Sequence, residues 1–558
     1  PTTLATEPTS AAPATDARGA EGVLPFVGRD AELDQLRAAW VRAARGNGGL
    51  VFVCGQAGIG KSRLVAELAR SVEAEGGRVC HGTTTPSERF PYEGIVEALR
   101  YSLPYVASLD LDALSYAIIA QLLPELAAWH DVASSVPPID PSREQPRLLD
   151  AVASCIAAMA RPRPLLVVLE DLHWAGADTA AAIAFLARRL ARSAVLIVGT
   201  YREEEVGRTH PLRAVHQGLR GEQLVQSIAL RPLSESAVER IVERLAVPPE
   251  DRARVARLGF DRSEGNPLFL TEALRDALRA PSDAGHEWTG SDALRSLIAS
   301  RVASLSDDAR DIARIAAVVG HGFQVDLLRD VAGIEESKVL DGLYELLDHN
   351  LVREAGARRR FDFAFTHHLI HNAIYEDIEP AVRTRRHRRI AQIIRERGAG
   401  DGGFTAADLA LHRERGGDSG GAAISYVDAA RHATALFAND DAIRHATKAI
   451  ELSEDDVLRA QALLVRERAL GRAARKDLQE QDIESLREIS VRSKDDDLAW
   501  EVSTLTVAFT RSQSDREKQD GAVADLERRA AASGIPRRRA ESLLARADLL
   551  VLRTSHAE

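Results

Sequence analysis

A glycine-rich stretch early in the chain combines residue types that bind phosphate. Residues 50–64 read LVFVCGQAGIGKSRL, an apolar run followed by a glycine-rich loop and then by Lys61 and Ser62. Glycines let the backbone curl so that successive N–H groups point at one anion, and the positive end of a following helix strengthens that field. Because G-x-x-x-x-G-K-S lies here between a strand signal and a helix signal, it predicts a phosphate-binding loop. This predicted P-loop comprises Gly55, Gln56, Ala57, Gly58, Ile59, Gly60, Lys61, Ser62 and Arg63.

Lys61 and Ser62 have different predicted roles. The Lys61 ammonium is expected to reach the β- and γ-phosphates of a nucleotide, and the Ser62 hydroxyl is expected to ligate Mg2+. A plain glycine-rich turn before a helix is the alternative, which the flanking strand and helix signals disfavour. The motif therefore predicts a nucleoside phosphate bound with Mg2+.

A pair of acids follows a second apolar run. Residues 164–171 read PLLVVLED and end in Glu170 and Asp171. A buried strand of this kind delivers one acid to Mg2+, and a second acid can orient the attacking water. We favour Asp171 as the metal ligand and Glu170 as the group that polarises water, and the reverse assignment stays open.

Arg202 ends a third apolar run. Residues 194–202 read AVLIVGTYR, and the carboxyl ends of parallel strands line the ligand crevice of a doubly wound sheet. Arg202 is therefore predicted to sense the γ-phosphate. The alternative is a solvated charge, since three glutamates follow at 203–205.

Bulk composition limits the class of protein. The 558 residues exceed what one core accommodates, and 45% apolar with 28% charged residues are globular values. A net charge of −11 argues against a chain-wide nucleic-acid footprint. Three cysteines without a CxxC pair indicate a reduced, cytoplasmic location. The sequence shows neither a membrane-spanning apolar run nor a secretory signal, so no membrane partner is expected.

Changes of pattern along the chain predict several regions. An α/β core carries the P-loop, and only helical patterns follow it, apart from a short aromatic strand pair typical of a winged helix. The helices near the end resemble a tetratricopeptide-like solenoid, an array that we expect to be cut short. The predicted regions are a disordered linker (1–22), an α/β core (23–232), a helical lid (233–290), a winged helix (291–378) and helical repeats (379–558).

Two polar patterns leave alternatives open. Residues 383–397 read RTRRHRRIAQIIRER, for which a solvated helix face with three buried isoleucines is favoured over a nucleic-acid contact. His367 and His368 follow the aromatic strand. They are predicted either to pack locally or to meet a nucleotide phosphate across a domain interface.

Several motifs occur in one order and together resemble a known family. They are FVGR at 26–29, the P-loop, LLVVLEDLHWA at 165–175, VLIVGTYR at 195–202, LRPL at 230–233, EGNP at 264–267 and FTH at 365–367. This set resembles the signal-transducing STAND ATPases, and more closely the ATPase and repeat regions of large ATP-binding LuxR-type regulators. The resemblance implies an AAA/STAND-like P-loop NTPase core that uses ATP or ADP with Mg2+.

The resemblance also implies roles for particular residues. Glu170 and Asp171 would form the acidic pair, and Arg202 would be a first sensor. Family members often continue Trp-Ala with an acid, whereas here Gly176 follows and the next acid is Asp178, so a third carboxylate has no assigned role. The further residues that the resemblance places around the nucleotide are Val27, Gly28, Arg29, Pro267 and His367.

The expected function is a slow ATPase that works as a signalling switch. An inducer or protein partner is expected at the repeats, together with nucleotide-dependent self-association. DNA would be bound only through a LuxR-type domain outside the given residues. The alternatives are a regulatory module of a nucleotide cyclase or protein kinase, and a repeat scaffold with structural nucleotide. A metabolic P-loop kinase is disfavoured, because such kinases rarely carry a winged helix and a repeat array.

Overall fold

One parallel sheet carries the P-loop. The structure, a computed structural model, describes residues 24–85, 90–128, 141–245, 247–279, 298–299, 301–355, 361–398, 404–513 and 516–554. The sheet has five parallel strands in the order β2-β3-β4-β1-β5. Its central strands are buried almost throughout, as expected when helices cover both faces of a parallel sheet. The strands are β1 (Gly49–Cys54), β2 (Arg78–Thr83), β3 (Leu165–Glu170), β4 (Val195–Tyr201) and β5 (Val225–Ala229).

Amphipathic helices flank this sheet. The first of them buries Leu33, Leu36 and Trp40, which recur at helical spacing. Two helices between residues 103 and 122 were not predicted, since the second is apolar on most faces and lacks a clear period. The helices of this region are Asp30–Ala44, Lys61–Ala74, Glu93–Tyr101, Leu103–Ala107, Ala113–Leu122, Pro141–Ala160, Ala177–Arg189 and Pro211–Gly221.

Three helices follow the sheet in the stretch predicted as a helical lid, and its role as a lid stays a prediction. They are Glu235–Glu243, Pro249–Ser263 and Pro267–Arg279. Ser234 caps the first of them, because its hydroxyl oxygen accepts a hydrogen bond of 3.2 Å from the Ala237 N–H. The surface loop predicted at 281–290 and the linker predicted at 1–22 lie outside the described residues.

A small antiparallel sheet lies among the next helices. Its strands are β6 (Gly322–Phe323), β7 (Val352–Glu354) and β8 (Phe363–Phe365), in the order β6-β8-β7. The sequence predicts β7 and β8 but not β6, which at two residues is too short to show a period. The helices here are Asp307–Val319, Val325–Ala332, Glu336–Asp348 and His368–Asp377. The helix predicted at 297–305 lies only partly within the described residues.

A long helical region completes the chain, as predicted. The basic helix Pro380–Arg397 buries its three isoleucines, at most 4% exposed. Alanines with no exposed surface, such as Ala430 and Ala446, let the next helices pack closely. Those helices are Ala406–Arg415, Ser419–Ala435, Asn439–Leu452, Asp456–Arg472, Lys476–Ser493, Asp496–Gln513, Arg516–Ser533 and Pro536–Thr554. Among the helices described, none is long and apolar enough to cross a membrane.

Candidate functional site

The P-loop forms the predicted cradle between β1 and the helix Lys61–Ala74. Three of its glycines have positive φ angles, +147° at Gly55, +76° at Gly58 and +98° at Gly60, which side chains rarely allow. The Lys61 ammonium donates to the carbonyl oxygens of Gly55 and Gln56, each at 2.8 Å. Burial, followed by the charge of Arg202, lowers the pKa of Lys61 to about 8. The loop thus holds a partly desolvated cation among its own carbonyls, an environment that an anion would stabilise.

A carboxylate already uses one of the N–H groups of this cradle. The Ala57 N–H donates to Glu204 Oε1 at 3.0 Å, and Glu204 comes from the acidic loop that follows β4. That oxygen stands in for a phosphate oxygen, because both are anionic acceptors of backbone N–H bonds. The cradle therefore fits a phosphate group, and a bound phosphate competes with Glu204 for the Ala57 N–H.

Arg29 holds the P-loop from outside the cradle. Its guanidinium donates to the carbonyl oxygens of Ile59 at 3.2 Å and of Arg231 at 2.7 Å, and the residue is 7% exposed. Val27 and Gly28 pack against the helix Glu235–Glu243. The three residues thus tie the P-loop to β5 and to the next helices. Their predicted contact with the base of the nucleotide stays a prediction.

The EGNP motif at 264–267 also contacts the P-loop. The Asn266 amide donates to the Ala57 oxygen at 3.0 Å, and the Leu268 N–H donates to the Gly58 oxygen at 3.2 Å. Gly265 has φ +78°, and a Cβ there would lie 2.1 Å from the Leu233 oxygen. The Leu233 N–H donates to the Gly265 oxygen at 2.8 Å, so the LRPL and EGNP motifs are hydrogen-bonded to each other.

Asn266 and Pro267 lie at the start of the helix Pro267–Arg279. Asn266 caps this helix, because its side-chain oxygen accepts a hydrogen bond of 3.1 Å from the Leu268 N–H. Pro267 lies next to the P-loop, where a Cβ on Gly60 would be 3.9 Å from the proline ring. The place predicted for Pro267 beside the adenine stays a prediction.

Glu170 lies beside the P-loop serine at the end of β3. It accepts hydrogen bonds from the Ser62 hydroxyl and from His81 on β2, with His81 Nε2 3.2 Å from Glu170 Oε2. Burial acts to raise the pKa of Glu170, but the charge of His81 and the hydrogen bonds from His81 and Ser62 lower it to about 2. Glu170 is therefore an ionised carboxylate in contact with the predicted Mg2+ ligand Ser62.

Asp171 has a different environment. Its φ is +56°, and its N–H donates to the Thr200 hydroxyl oxygen at 3.1 Å. Burial and the charge of Glu170 raise the pKa of Asp171 to about 6. Two adjacent acids with separated pKa values suit different roles, one as a permanent anion and one as a proton acceptor. The contact with Ser62 suits Glu170 to the metal side, whereas the sequence favoured Asp171 there, and the assignment of the two acids stays a prediction.

Arg202 is buried and engaged rather than solvated. At 5% exposure it pairs with Glu205 at 2.5 Å, and its nitrogens lie 2.7 and 2.8 Å from the ring nitrogens of His368. Its guanidinium also lies 5.4 Å from the centre of the Trp174 ring. Arg202 thus links β4 of the P-loop sheet to the helix His368–Asp377 of the following region.

The two neighbouring histidines differ in what they contact. His368 meets Arg202, whereas His367 Nδ1 accepts a hydrogen bond of 3.4 Å from the Leu369 N–H at the start of its helix. Burial, with the charges of Arg202 and Lys61, lowers the pKa of His367 to about 4. The predicted contact of His367 with nucleotide stays a prediction, and His368 is the histidine that reaches Arg202.

His173 is a site residue that sequence reasoning missed. Its ring nitrogens are buried without a hydrogen-bond partner among the described residues, 3.9 Å from Asp171 and 3.6 Å from Glu205. Burial and the charge of Arg202 lower its pKa to about 2, so the ring is neutral. Such a ring can donate to a ligand or water in the site. The signal that could have found it is its position two residues after Asp171.

The residues present also fit Mg2+. No cluster of three or more metal-ligating side chains exists within the described ranges. Magnesium at a nucleotide needs none, because it takes one or two protein ligands and completes its shell with phosphate oxygens and water. Ser62 with either of the two acids supplies that number, and Asp171 is the acid that the sequence favours as the ligand.

Comparison with known proteins agrees with this geometry. Residues 25–198 match the family described as AAA ATPase domain, which confirms the predicted P-loop ATPase core. An uncharacterized protein of Rhizobium meliloti (strain 1021) is 26% identical over 479 residues, which cover 79% of this chain and 44% of that protein. The chain therefore spans less than half the length of this relative.

Two solved structures are similar at low identity. A STAND protein with a tetratricopeptide repeat sensor from Pyrococcus horikoshii has 14% identity and a TM-score of 0.46, covering 95% of this chain and 75% of that one. The ORC1 protein of Aeropyrum pernix, solved in complex with DNA, has 16% identity and a TM-score of 0.29, covering 64% and 94%.

Proposed function

Because residues 25–198 form an AAA ATPase domain, we propose that this chain is a nucleotide-operated switch of the STAND type, built on a slow ATPase. The observation that carries the proposal is the contact between Arg202 and His368. It joins the residue expected to sense the γ-phosphate to a helix outside the ATPase domain, at 2.7 and 2.8 Å. A metabolic kinase would not require such a link.

The residues of the site have distinct parts in the proposed reaction. Lys61 exchanges its loop carbonyls for phosphate oxygens, and the N–H groups of the P-loop bind the same anion. Asp171 accepts the proton of the attacking water, for which its raised pKa suits it. Ser62 and Glu170 would hold Mg2+, which would supply positive charge to offset that of the nucleotide phosphates. The products are ADP and phosphate.

The γ-phosphate changes the partner of Arg202. Without it, the guanidinium rests between Glu205 and His368. With it, a phosphate oxygen is the stronger partner, because charge-assisted hydrogen bonds exceed those to a neutral ring. ADP thus favours the closed arrangement and ATP favours release of His368. Driving such a switch from 1:99 to 99:1 takes about 5.5 kcal/mol of differential binding.

We propose that an inducer or protein partner binds the helical repeats and that the open form associates with itself. Transcriptional control through a LuxR-type DNA-binding domain is the output that the sequence resemblance favours. Regulation of an attached nucleotide cyclase or protein kinase is the second candidate.

Replacing His368 tests the link to the sensor. His368→Ala removes the ring that Arg202 contacts, so the closed form loses one support and bound ADP should leave about tenfold faster. Release of fluorescent ADP in stopped flow measures this. His349→Ala, in the same region but away from Arg202, is the matched control. An unchanged release rate in His368→Ala contradicts the proposed link.

The nucleotide that the purified chain retains tests the function itself. The chain is denatured, and the released nucleotide is identified by ion-pairing chromatography. Stoichiometric ADP supports a locked resting switch. A chain that neither retains nor binds ADP or ATP overturns the proposed function.

A further inference from the structure

One repeat helix lacks a cap of its own. The helix Asn439–Leu452 has Ala438 at its N-cap position, and an alanine side chain cannot accept a hydrogen bond from the first turn. The neighbouring helices differ, because Thr405, Asp418 and Asp455 cap the helices that they precede. The first turn of Asn439–Leu452 must therefore find its acceptor elsewhere.

That acceptor comes from the ATPase domain. Asp178 Oδ2 accepts hydrogen bonds from the backbone N–H groups of Asp440 at 2.8 Å and of Asp441 at 3.2 Å. Asp178 is 5% exposed, and its other oxygen lies 3.3 Å from the Gln145 amide nitrogen. A carboxylate at a helix N-terminus also interacts favourably with the helix dipole. Asp178 thus caps a helix 262 residues away in the chain.

The surrounding contacts join the same two regions. The Tyr92 hydroxyl donates to the Leu436 oxygen at 3.4 Å, and Arg472 pairs with Glu144 at 3.5 Å. Ala433, Leu436, Ala438 and Ala442 share one hydrophobic cluster with the ATPase domain. Ala469 and the partly buried Phe437 and Ile443 belong to the same contact, so apolar packing accompanies the polar contacts between the regions.

The closed contact also leaves polar groups unsatisfied. Within the described part of the chain, Asn439 Oδ1 and Asp441 Oδ2 are buried without a hydrogen-bond partner. Burial and the charges of Asp441 and Asp440 raise the pKa of Asp178 to about 7, which shows that the ionised form is costly there. Opening would hydrate these groups, so the contact is suited to release.

Asp178 is directly connected to the nucleotide site. It ends a nine-residue segment, EDLHWAGAD, that starts with Glu170 and Asp171 and contains Trp174 beside Arg202. We propose that Asp178 is a latch, which caps the helix Asn439–Leu452 in the closed form and leaves it when ATP is bound. This inference rests on the proposed switch function and gives the third acid after the strand β3 a regulatory role.

Hydrogen exchange of the full chain tests the latch. In Asp178→Ala, exchange at the Asp440 and Asp441 amides should rise about tenfold in the presence of ADP, as for a lost helix cap. Asp178→Asn keeps the shape and one acceptor oxygen, so its effect should be smaller. Asp455→Ala is the matched control, because it removes a cap within the repeats and should affect only the start of the helix Asp456–Arg472. In the unsubstituted chain, a non-hydrolysable ATP analogue should raise exchange at Asp440 and Asp441 as Asp178→Ala does.

Two outcomes would overturn the latch. Equal protection of the two amides in Asp178→Ala and the unsubstituted chain shows that the cap holds nothing. Equal protection with ADP and with the ATP analogue, at concentrations where both are shown to bind, shows a static contact. In that second case, the proposed switch survives if hydrogen exchange around His368 is still faster with the ATP analogue than with ADP. If neither nucleotide binds, the proposed function itself fails, and the latch, which rests on that function, fails with it.

Discussion

Lys61→Ala is expected to weaken the binding of ADP and ATP by at least about a hundredfold. The substitution removes a buried cation that donates to the Gly55 and Gln56 carbonyl oxygens, neutral partners that a phosphate can replace. Hydrogen bonds to a charged group contribute about 1.5 to 3 kcal/mol each, and this ammonium makes more than one. Titration calorimetry with Mg2+ present measures the loss.

Lys338→Ala is the control for that experiment. Lys338 is exposed on the helix Glu336–Asp348, far in sequence from the P-loop, so its removal should leave affinity unchanged. Thermal unfolding of both variants shows whether the fold is retained. Affinity in Lys61→Ala within a few-fold of the unsubstituted chain would contradict the assignment of the P-loop.

Substitutions of the two adjacent acids are expected to have different effects on ATP binding and hydrolysis. Asp171→Asn removes the proton acceptor and should lower kcat for ATP hydrolysis by at least about a hundredfold while ATP still binds. Glu170→Gln removes the anion beside Ser62 and should abolish most of the Mg2+ dependence of ATP binding. Phosphate release and calorimetry with and without Mg2+ separate the two effects.

The reverse pattern is an informative outcome. If Asp171→Asn loses the Mg2+ dependence and Glu170→Gln retains it, Asp171 is the metal ligand, as the sequence alone favoured. Glu73→Gln serves as the control, since Glu73 is exposed near the end of the helix Lys61–Ala74, far along it from Ser62. Unchanged hydrolysis in both acid variants contradicts a catalytic role for the pair.

Local patterns made the centre of the site predictable. The P-loop, the acids after β3 and Arg202 after β4 all lie at the ends of strongly apolar strands, where position follows from strand order and direction. The motif order also predicted the α/β core followed by helical regions. These features depend on short stretches of chain, and such stretches carry their own signals.

Contacts between distant segments could not be predicted in the same way. Nothing local shows that Arg29 holds the Ile59 and Arg231 oxygens or that Glu204 reaches the P-loop, because these partners meet only through tertiary packing. Which of His367 and His368 contacts Arg202 depends on how the helix His368–Asp377 is rotated about its axis. The missing cap of Asn439–Leu452 could not be read either, because Asn439 and Asp440 are preferred N-cap types and only the structure places Ala438 at that position.

Small-angle scattering of the full chain tests the nucleotide switch most directly. The radius of gyration is measured with saturating ADP and Mg2+ and then with a non-hydrolysable ATP analogue and Mg2+. We predict a compact particle with ADP and a more extended or self-associated particle with the analogue. Superimposable scattering curves, with both ligands shown to be bound, would contradict the switch and favour a scaffold with structural nucleotide.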